Sequence, residues 1–485
     1  MTTGVRRSPR TGWEWAVVAA ILALAAWLRL RHLGIVTYHD DQAVALRIAH
    51  DILRGDVRTV GLTSSSGAAN PPLYVYMVAV LVAIHDGVIF ATISVAILSV
   101  VAIALTYVMV RPRFGRTVAF VTIALFATAP WAVVFGRLLF QQDYLPIVSV
   151  ALLWTLFVVL ERDRTWVALL VPFLFVVAIS LNLSAVALVL PIGALLTYRA
   201  RDVNWRAILA GSGLGLVLLL PWLAHNAKHG FRDFSLIVNN GRGHGGAAGG
   251  GTIEAVIRTI DLVSAEGWDF IDGASRQSGA AWTLGRIAGI LVIALLVVGI
   301  GTSIGRIVRD GRHPGIDTAR RALLVIWLVG TCLAYLSSSR SGVGPHYVII
   351  SYPASFLLAA LGLSDAAARL LRRRAASVAL VTAGAVAAAF VAFTLSFQAF
   401  VAKHHGTAGA YWVIYDDTAA LAKAARAKSL HIAGAPAEYL AWGHLQVPEG
   451  TTRLVTIRIR LSDHSPLPCT GEKRRFGAIE ACFPR

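Results

Sequence analysis

The chain has 485 residues, of which 56% are hydrophobic and only 14% are charged. Apolar runs of about 20 residues, long enough to cross a bilayer, recur along it, so the composition excludes a set of soluble domains and indicates a polytopic membrane protein. The net charge of +18 does not point to a nucleic-acid partner, because the arginines lie in short loops between apolar runs, where they set membrane orientation.

Twelve apolar runs are candidate membrane spans. They cover 13–31, 72–85, 88–110, 117–136, 144–161, 165–181, 184–198, 206–224, 283–305, 321–338, 346–364 and 376–398. If all of them crossed, the arginine clusters after the third run would fall outside, against the positive-inside rule. The run 72–85 is the shortest and begins at a proline pair, so we predict that it is re-entrant or interfacial. The predicted fold is an all-α polytopic membrane protein with about eleven transmembrane helices and this one additional segment.

The arginine distribution also divides the chain into parts. We predict a cytoplasmic N-terminus (1–12), a transmembrane domain (13–398) and an extracytoplasmic C-terminal domain (399–485). The segments 32–87 and 225–281 are then long external loops. Because the alanine- and arginine-rich composition is typical of a GC-rich bacterial genome, the expected location is the bacterial inner (cytoplasmic) membrane.

The first external loop carries two adjacent carboxylates, Asp40 and Asp41. A charged pair beside a bilayer is costly unless water solvates it or it has a function in binding or catalysis. The segment 42–53 after it predicts an amphipathic helix. Asp40 is therefore either a functional base or a solvated loop acid. Asp41 could orient an acceptor, hold a cation or cap the helix.

Other polar residues are predicted on the same external face. Asp143 could bind substrate or a metal, or pair with Arg137, and Arg137 could bind phosphate or extend toward the interface. Arg340 and His346 lie in a later external loop, as donor ligands or as ordinary loop residues. No Cys/His cluster with metal-ligand spacing occurs in the sequence.

The C-terminal tail is polar and predicts a small α/β domain. Helices are predicted at 418–427 and 437–442, and strands at 429–432 and 453–459. Cys469 and Cys482 lie 13 residues apart and could form a disulfide if this segment is outside.

The order of the motifs resembles the GT-C superfamily of glycosyltransferases, in particular lipid A aminoarabinose transferases and protein O-mannosyltransferases. The motifs are Asp40-Asp41, Asn70-Pro71-Pro72-Leu73-Tyr74, Phe114-Gly115-Arg116, Arg137 through Asp143-Tyr144, Pro221-Trp222 and His346-Tyr347. The resemblance covers roughly 15–365, and the tail carries no motif that matches. Two positions depart from the family pattern: Asp41 stands where glutamate is usual, and Asn70 replaces a common lysine near the donor phosphate.

The resemblance implies a catalytic role for the transmembrane domain. It implies an inverting transfer of a sugar from a polyprenyl-phosphate donor to an acceptor hydroxyl, outside the cytoplasm, with Asp40 as general base. The implied site residues are Asp40 and Asp41 for catalysis and Asp143, Arg137, Asn70, Tyr74, Arg340, His346 and Tyr347 for substrate binding. The acceptor could be a lipid, a glycan or a protein. No cofactor is firmly expected, and a divalent cation held by the acidic residues is the alternative.

Two other functions compete with this interpretation. A transporter or flippase of lipid-linked saccharide should place ionisable residues near mid-membrane and often shows paired halves, whereas these spans carry almost no charge. An oligosaccharide ligase or polymerase remains open, because cavity shape sets the size of the donor.

Overall fold

A computed structural model describes most of the chain. The described residues are 12–38, 40–64, 67–162, 164–240, 250–273, 277–311, 314–335, 343–428, 430–433, 454–461 and 467–484. Arg340 and the predicted helix 437–442 lie outside them, and so does the side chain of Asp40. Within these residues the chain is mainly α-helical, with one sheet near the C-terminus.

The membrane domain consists of helices of very different lengths. In chain order they are α1 (Gly12–Leu30), α2 (Asp40–Leu53), α3 (Leu73–Ile84), α4 (Val88–Phe114), α5 (Arg116–Thr128), α6 (Pro130–Phe135), α7 (Leu145–Glu161), α8 (Leu170–Leu181), α9 (Val189–Tyr198), α10 (Trp205–Lys228), α11 (Arg232–Asn240), α12 (Gly250–Asp261), α13 (Asp269–Asp272), α14 (Ala280–Asp310), α15 (Ile316–Leu333), α16 (Ala354–Leu371) and α17 (Ala375–His404). Short 3₁₀ turns at Gln141–Tyr144 and Pro345–Ser351 precede α7 and α16.

Six helical stretches among the described residues are long and apolar enough to cross a membrane. They are Gly12–Leu30, Val88–Phe114, Gln141–Glu161, Trp205–Lys228, Ala280–Asp310 and Ala354–His404, the last containing both α16 and α17. Helix α3 has 12 residues and is about 18 Å long, well short of a hydrocarbon core of about 30 Å. Its length agrees with a segment that does not cross, and the total of eleven crossings stays a prediction.

The predicted run 117–136 is divided into two helices. The break falls at Ala129, and Pro130 occupies the first turn of α6, where its missing N–H costs no hydrogen bond. Arg29 of α1 is fully buried beside this break. Its guanidinium donates to the Ser99 hydroxyl (2.9 Å) and to the carbonyls of Ala127 (2.9 Å), Ala132 (3.1 Å), Ala25 (3.2 Å) and Phe126 (3.3 Å).

Ion pairs join the helices at the end of the bundle predicted to be cytoplasmic. They are Arg111 with Glu14, Arg113 and Arg320 with Glu161, and Arg321 with Asp365. These arginines therefore connect helices as well as biasing the orientation of the chain.

The C-terminal domain is a helix packed on a four-stranded sheet. Helix α18 (Tyr415–Ala427) is followed by β1 (His431–Ala433), β2 (Leu454–Ile459), β3 (Glu472–Phe476) and β4 (Ile479–Phe483), in the order β1-β2-β4-β3. Strands β1 and β2 are parallel and the other pairs antiparallel. Cys469 and Cys482 form a disulfide. The fold class predicted from the sequence, a polytopic α-helical membrane domain with a small α/β C-terminal domain, is confirmed.

Residues 405–414, which we call the strap, join α17 to α18 across the two loops that are predicted to be external. The Tyr38 amide donates to the Val413 carbonyl (3.2 Å), and the Tyr415 amide donates to the Val36 carbonyl (2.8 Å). The Ala410 amide donates to the Phe270 carbonyl (2.8 Å). The strap thereby connects the first external loop to the second long loop.

Candidate active site

A cavity of about 380 Å³ lies where the two external loops and the strap converge. Its lining residues are Thr37, Asp41, Phe135, Leu138, Phe140, Gln142, Phe270, Ile271, His346, Gly409, Ala410, Tyr411 and Trp412. They come from parts of the chain that are far apart in sequence. Aromatic and aliphatic walls with a few polar groups are typical of a small-molecule site.

The acidic pair begins helix α2 beside this cavity. Asp40 and Asp41 are its first two residues, and the Asp41 side chain is half-buried and lines the cavity. A helix N-terminus favours negative charge. The sequence therefore correctly predicted an acidic group at this cavity. Among the described side chains, that group is the Asp41 carboxylate.

Asp143 is buried beside the cavity, next to the lining residue Gln142, and is 3% exposed. Neither carboxylate oxygen has a hydrogen-bond partner among the described residues. Tyr74 and Tyr352 lie within electrostatic range, but their hydroxyls donate to the carbonyls of Leu139 (2.9 Å) and Leu262 (2.8 Å). A buried carboxyl without a partner is costly, so Asp143 is a strong candidate for contact with a substrate.

Arg137 does not pair with Asp143 in the described part of the chain. Its guanidinium is buried and donates to the carbonyls of His32 (2.8 Å), Arg31 (2.9 Å) and Leu28 (3.4 Å) at the end of α1. These bonds fit a structural role in joining the first span to the loop after α6. Phosphate binding by Arg137 stays a prediction.

Tyr411, a residue of the strap, lies on the cavity wall. Burial raises the pKa of the Tyr411 hydroxyl, and the nearby Arg137 opposes this shift. The hydroxyl donates to the Ile35 carbonyl (2.9 Å), so it is a neutral donor that ties the strap to the first external loop.

Asn70 and Tyr74 are both buried and neither lines the cavity. The Asn70 amide group donates to the Leu62 carbonyl (2.9 Å), which holds the end of the first external loop together. The Tyr74 ring packs edge-on against Tyr144, with 5.9 Å between ring centroids. Both residues shape the site, and direct contact with the donor stays a prediction.

His346 lies on the cavity wall in the 3₁₀ turn before α16. Its ring centroid is 4.1 Å from that of Tyr347 and 6.2 Å from that of Phe270. The Tyr347 carbonyl accepts a hydrogen bond from the Tyr335 hydroxyl (3.2 Å). Of the predicted site residues, the described cavity therefore brings together Asp41 and His346, and Asp143 adjoins the lining residue Gln142.

Of the lining residues, the sequence analysis named only Asp41 and His346 and missed the others, among them Gln142, Phe270 and Trp412. Gln142 precedes Asp143 inside a recognised motif, so the sequence could have predicted that it lies at the site. Phe270 and Trp412 belong to a loop and a tail without recognisable motifs, and only the tertiary structure brings them together.

The described residues contain no group of three or more histidine, cysteine, aspartate or glutamate side chains placed to hold a metal ion. The Asp40 side chain lies outside the described residues, and binding of a divalent cation stays a prediction.

The helical bundle and its broken spans are those of a multi-pass membrane protein, and comparison with solved structures shows that its fold is similar to the GT-C fold. Residues 69–225 match the sequence model of the dolichyl-phosphate-mannose-protein mannosyltransferase family. No curated protein matches the chain significantly.

Two solved structures show the same fold. ArnT from Cupriavidus metallidurans, bound to undecaprenyl phosphate, superposes with a TM-score of 0.57 over 98% of this chain and 100% of ArnT, at 16% identity. The archaeal oligosaccharyltransferase AglB from Archaeoglobus fulgidus, with an inhibitory peptide and a dolichol-phosphate, gives a TM-score of 0.50 over 91% of this chain and 61% of AglB, at 13% identity. The resemblance to GT-C glycosyltransferases of the ArnT-like and mannosyltransferase-like kind is thus confirmed.

Proposed function

We propose that this protein transfers a sugar from a polyprenyl-phosphate carrier to an acceptor hydroxyl on the extracytoplasmic side of a bacterial inner membrane. The observation that carries the proposal is one cavity lined by Asp41 of the acidic pair and by His346. The undecaprenyl phosphate bound to ArnT and the dolichol-phosphate bound to AglB support a lipid-linked donor.

The chemistry requires a base and support for the leaving group. A carboxylate of the Asp40–Asp41 pair takes the proton of the acceptor hydroxyl as its oxygen attacks the anomeric carbon. The bond from that carbon to the phosphate oxygen breaks, and the polyprenyl phosphate leaves with the electron pair. A single displacement of this kind inverts the anomeric configuration.

Asp40 remains our prediction for the base, and the lining position of Asp41 makes it the second candidate. Asp40 and Asp41 are the first two residues of α2, so their positions lie about 100° apart around the helix axis. We therefore propose that only one of them acts as the base.

The departing phosphate needs cationic or hydrogen-bonding groups. Among the described lining residues none is lysine or arginine, and His346 is the side chain able to become cationic. We propose that His346 binds the phosphate together with Arg340, which follows α15 in the same external loop. Arg137, Asn70, Tyr74 and Tyr347 are proposed to support this group from behind.

The proposed orientation has the N-terminus in the cytoplasm and the C-terminal domain outside. A disulfide between Cys469 and Cys482 supports an oxidising surrounding for that domain. The external cavity beneath the strap supports an acceptor from the same side, of lipid, glycan or protein class. The division into 1–12, 13–398 and 399–485 is part of this proposal.

The test is transfer of label from a panel of radiolabelled polyprenyl-phosphate sugars, comparing wild type with Asp40→Asn and Asp41→Asn at matched expression. We expect wild-type transfer from one donor and a loss of at least about 100-fold in the variant that lacks the base. Asp86→Asn is the control, because Asp86 is an exposed acid of the same loop that pairs with His50 at 3.2 Å.

The outcomes separate the competing functions. Unchanged transfer in both pair variants contradicts the proposed mechanism. No transfer from any single-sugar donor, with folded protein in the membrane, contradicts the proposed donor. Transfer from a lipid-linked oligosaccharide instead would favour a ligase or polymerase, although a cavity of about 380 Å³ lies near the lower end of the range for ligand sites.

A further inference from the structure

The strap forms one complete wall of the cavity. Four consecutive residues, 409–412, all line it. They follow the last helix of the membrane domain, in a part of the chain where no family motif was recognised. The cavity is therefore completed by residues outside the region in which sequence motifs were recognised.

Hydrogen bonds fix this wall to both external loops. The Thr407 hydroxyl donates to the Ile271 carbonyl (2.5 Å). The Thr407 amide in turn donates to the Trp412 carbonyl (3.0 Å), and the Trp412 amide donates to the Gly409 carbonyl (3.2 Å). The strap is a closed turn with bonded ends, so its side chains have defined positions in the cavity.

Two facing glycines bring the strap against the second long loop. A Cβ atom on Gly409 would lie 2.4 Å from the Ile271 oxygen and 2.5 Å from the Gly273 nitrogen. A Cβ atom on Gly273 would lie 2.6 Å from the Gly409 nitrogen. A side chain at either position would push the strap away from this loop, so close backbone contact helps the hydrogen bonds to hold the cavity wall in place.

Trp412 has an unusual backbone conformation on this wall. Its φ angle is +55°, which is uncommon for a residue with a side chain and a genuine outlier for a bulky one. Strain of this kind persists where the surroundings enforce it and is concentrated at functional sites. Trp412 also packs against the core of the C-terminal domain, so the domain and the strap together hold this residue of the cavity wall in place.

The chemistry of the lining fits a sugar ring. The aromatic lining residues are Phe135, Phe140, Phe270, Tyr411 and Trp412. Thr37, Asp41, Gln142 and His346 add polar groups, and the described lining holds no lysine or arginine. Apolar faces with a few placed hydrogen-bonding groups suit a neutral ligand that has a C–H face and hydroxyl edges. In the proposed reaction, the transferred sugar must lie between the base and the phosphate.

We propose that Trp412 packs against the face of the transferred sugar and determines which sugar donor the cavity accepts. This inference rests on the proposed function. It assigns a specificity role to the junction between the membrane domain and the C-terminal domain.

The test uses the full-length protein with Trp412→Ala and Trp412→Phe. The measurements are kcat/KM for the preferred polyprenyl-phosphate sugar and for a second sugar donor, and the Kd of bare polyprenyl phosphate. Phe476→Ala is the matched control, because Phe476 also packs on the core of the C-terminal domain but does not line the cavity.

We expect Trp412→Ala to lower kcat/KM for the preferred donor at least about tenfold and to reduce its preference over the second donor. Trp412→Phe should retain part of the preference, since it keeps a ring. The Kd of bare polyprenyl phosphate, which carries no sugar, should stay within about twofold of wild type, a small difference on the free-energy scale of binding.

Other results overturn the inference in distinguishable ways. If the ratio of kcat/KM between the two donors is unchanged in Trp412→Ala, Trp412 does not determine which sugar is accepted. A parallel loss of bare-carrier binding, or the same loss in Phe476→Ala, indicates a purely structural role. Wild-type protein that neither transfers a sugar nor binds any sugar donor more tightly than the bare carrier contradicts the proposed function and this inference together.

Discussion

Asp143 is the carboxyl group whose environment most requires a functional explanation. It is buried beside the cavity, and no described side chain donates a hydrogen bond to it. We predict that Asp143→Asn lowers sugar transfer at least about 100-fold, because the amide cannot replace a carboxylate toward a substrate or a cation. Folding should be kept or improved, because a neutral amide costs less to bury than an unpaired charge.

The measurement is transfer activity beside the melting temperature in detergent. Asp51→Asn is a suitable control, since Asp51 is an acid of the first external loop that pairs with Arg58 at 3.1 Å. If Asp143→Asn keeps full activity and only its melting temperature changes, the residue is structural.

Arg29 differs from Asp143, because it is a buried charged group whose guanidinium donates hydrogen bonds to other residues of the protein. Its bonds to the carbonyls around the α5–α6 break satisfy groups that a broken helix leaves exposed. We predict that Arg29→Lys destabilises the protein by about 3 kcal/mol, because an ammonium group cannot reach all of these carbonyls. Thermal unfolding in detergent measures the loss, and Arg206→Lys, at an exposed position of α10, should unfold like wild type. Equal melting temperatures for both variants would contradict the assigned role.

At the scale of elements, the strap depends on close backbone contact. We predict that Gly409→Ala lowers sugar transfer about 100-fold, since a displacement of about 1 Å at a catalytic cavity can have that effect. The melting temperature of the membrane domain should change little, because the clash lies outside the bundle. Activity and melting temperature are compared in the same preparation.

Gly384→Ala is the matched control for this prediction. Gly384 lies on α17, and a Cβ atom at this position would have no neighbouring atom within 4 Å. Alanine also favours a helix by about 1 kcal/mol over glycine. The control should therefore keep activity and stability. Full activity in Gly409→Ala would show that the strap adjusts without affecting the cavity.

The elements most predictable from the sequence are the long apolar helices. The runs 88–110 and 283–305 correspond to α4 and α14, because burial in lipid or protein requires continuous apolar length. The break at Pro130 was not predicted, although proline at a first helical position gives its physical reason. Strand β3 was also missed, because its residues Glu472 to Arg475 are exposed on their strand and give no hydrophobic alternation.

The candidate site was predictable only where motifs lie in order along the chain. Asp41 and His346 were found because they belong to such motifs, and the cavity joins them. Trp412 was not found, because its place depends on contacts that the strap makes with loops more than 130 residues away, such as the Ala410–Phe270 hydrogen bond. Local sequence pattern carries no information on contacts of this range.

For the whole molecule, charge distribution and redox chemistry point to the same orientation. The arginines of the turn Arg372–Arg374 between α16 and α17 are exposed and belong inside by the positive-inside rule. The disulfide Cys469–Cys482 belongs in an oxidising compartment. Two independent properties therefore support the proposed orientation, in which the opposite ends of α17 lie on opposite sides of the membrane.

We predict that labelling of one cysteine on each side of the membrane will show this orientation. Both cysteines are tested separately, in a variant in which Cys332 is replaced by serine. In Cys482→Ser, the remaining Cys469 thiol should react with a membrane-impermeant maleimide in intact cells. With both cysteines of the disulfide replaced by serine, an added Arg373→Cys should react only after the membrane is permeabilised. The parent protein with its disulfide intact should stay unlabelled until it is reduced, which controls for other reactive groups. The reverse labelling pattern would place the C-terminal domain in the cytoplasm. Because the strap connects that domain to the cavity, the acceptor would then have to enter from the cytoplasmic side as well.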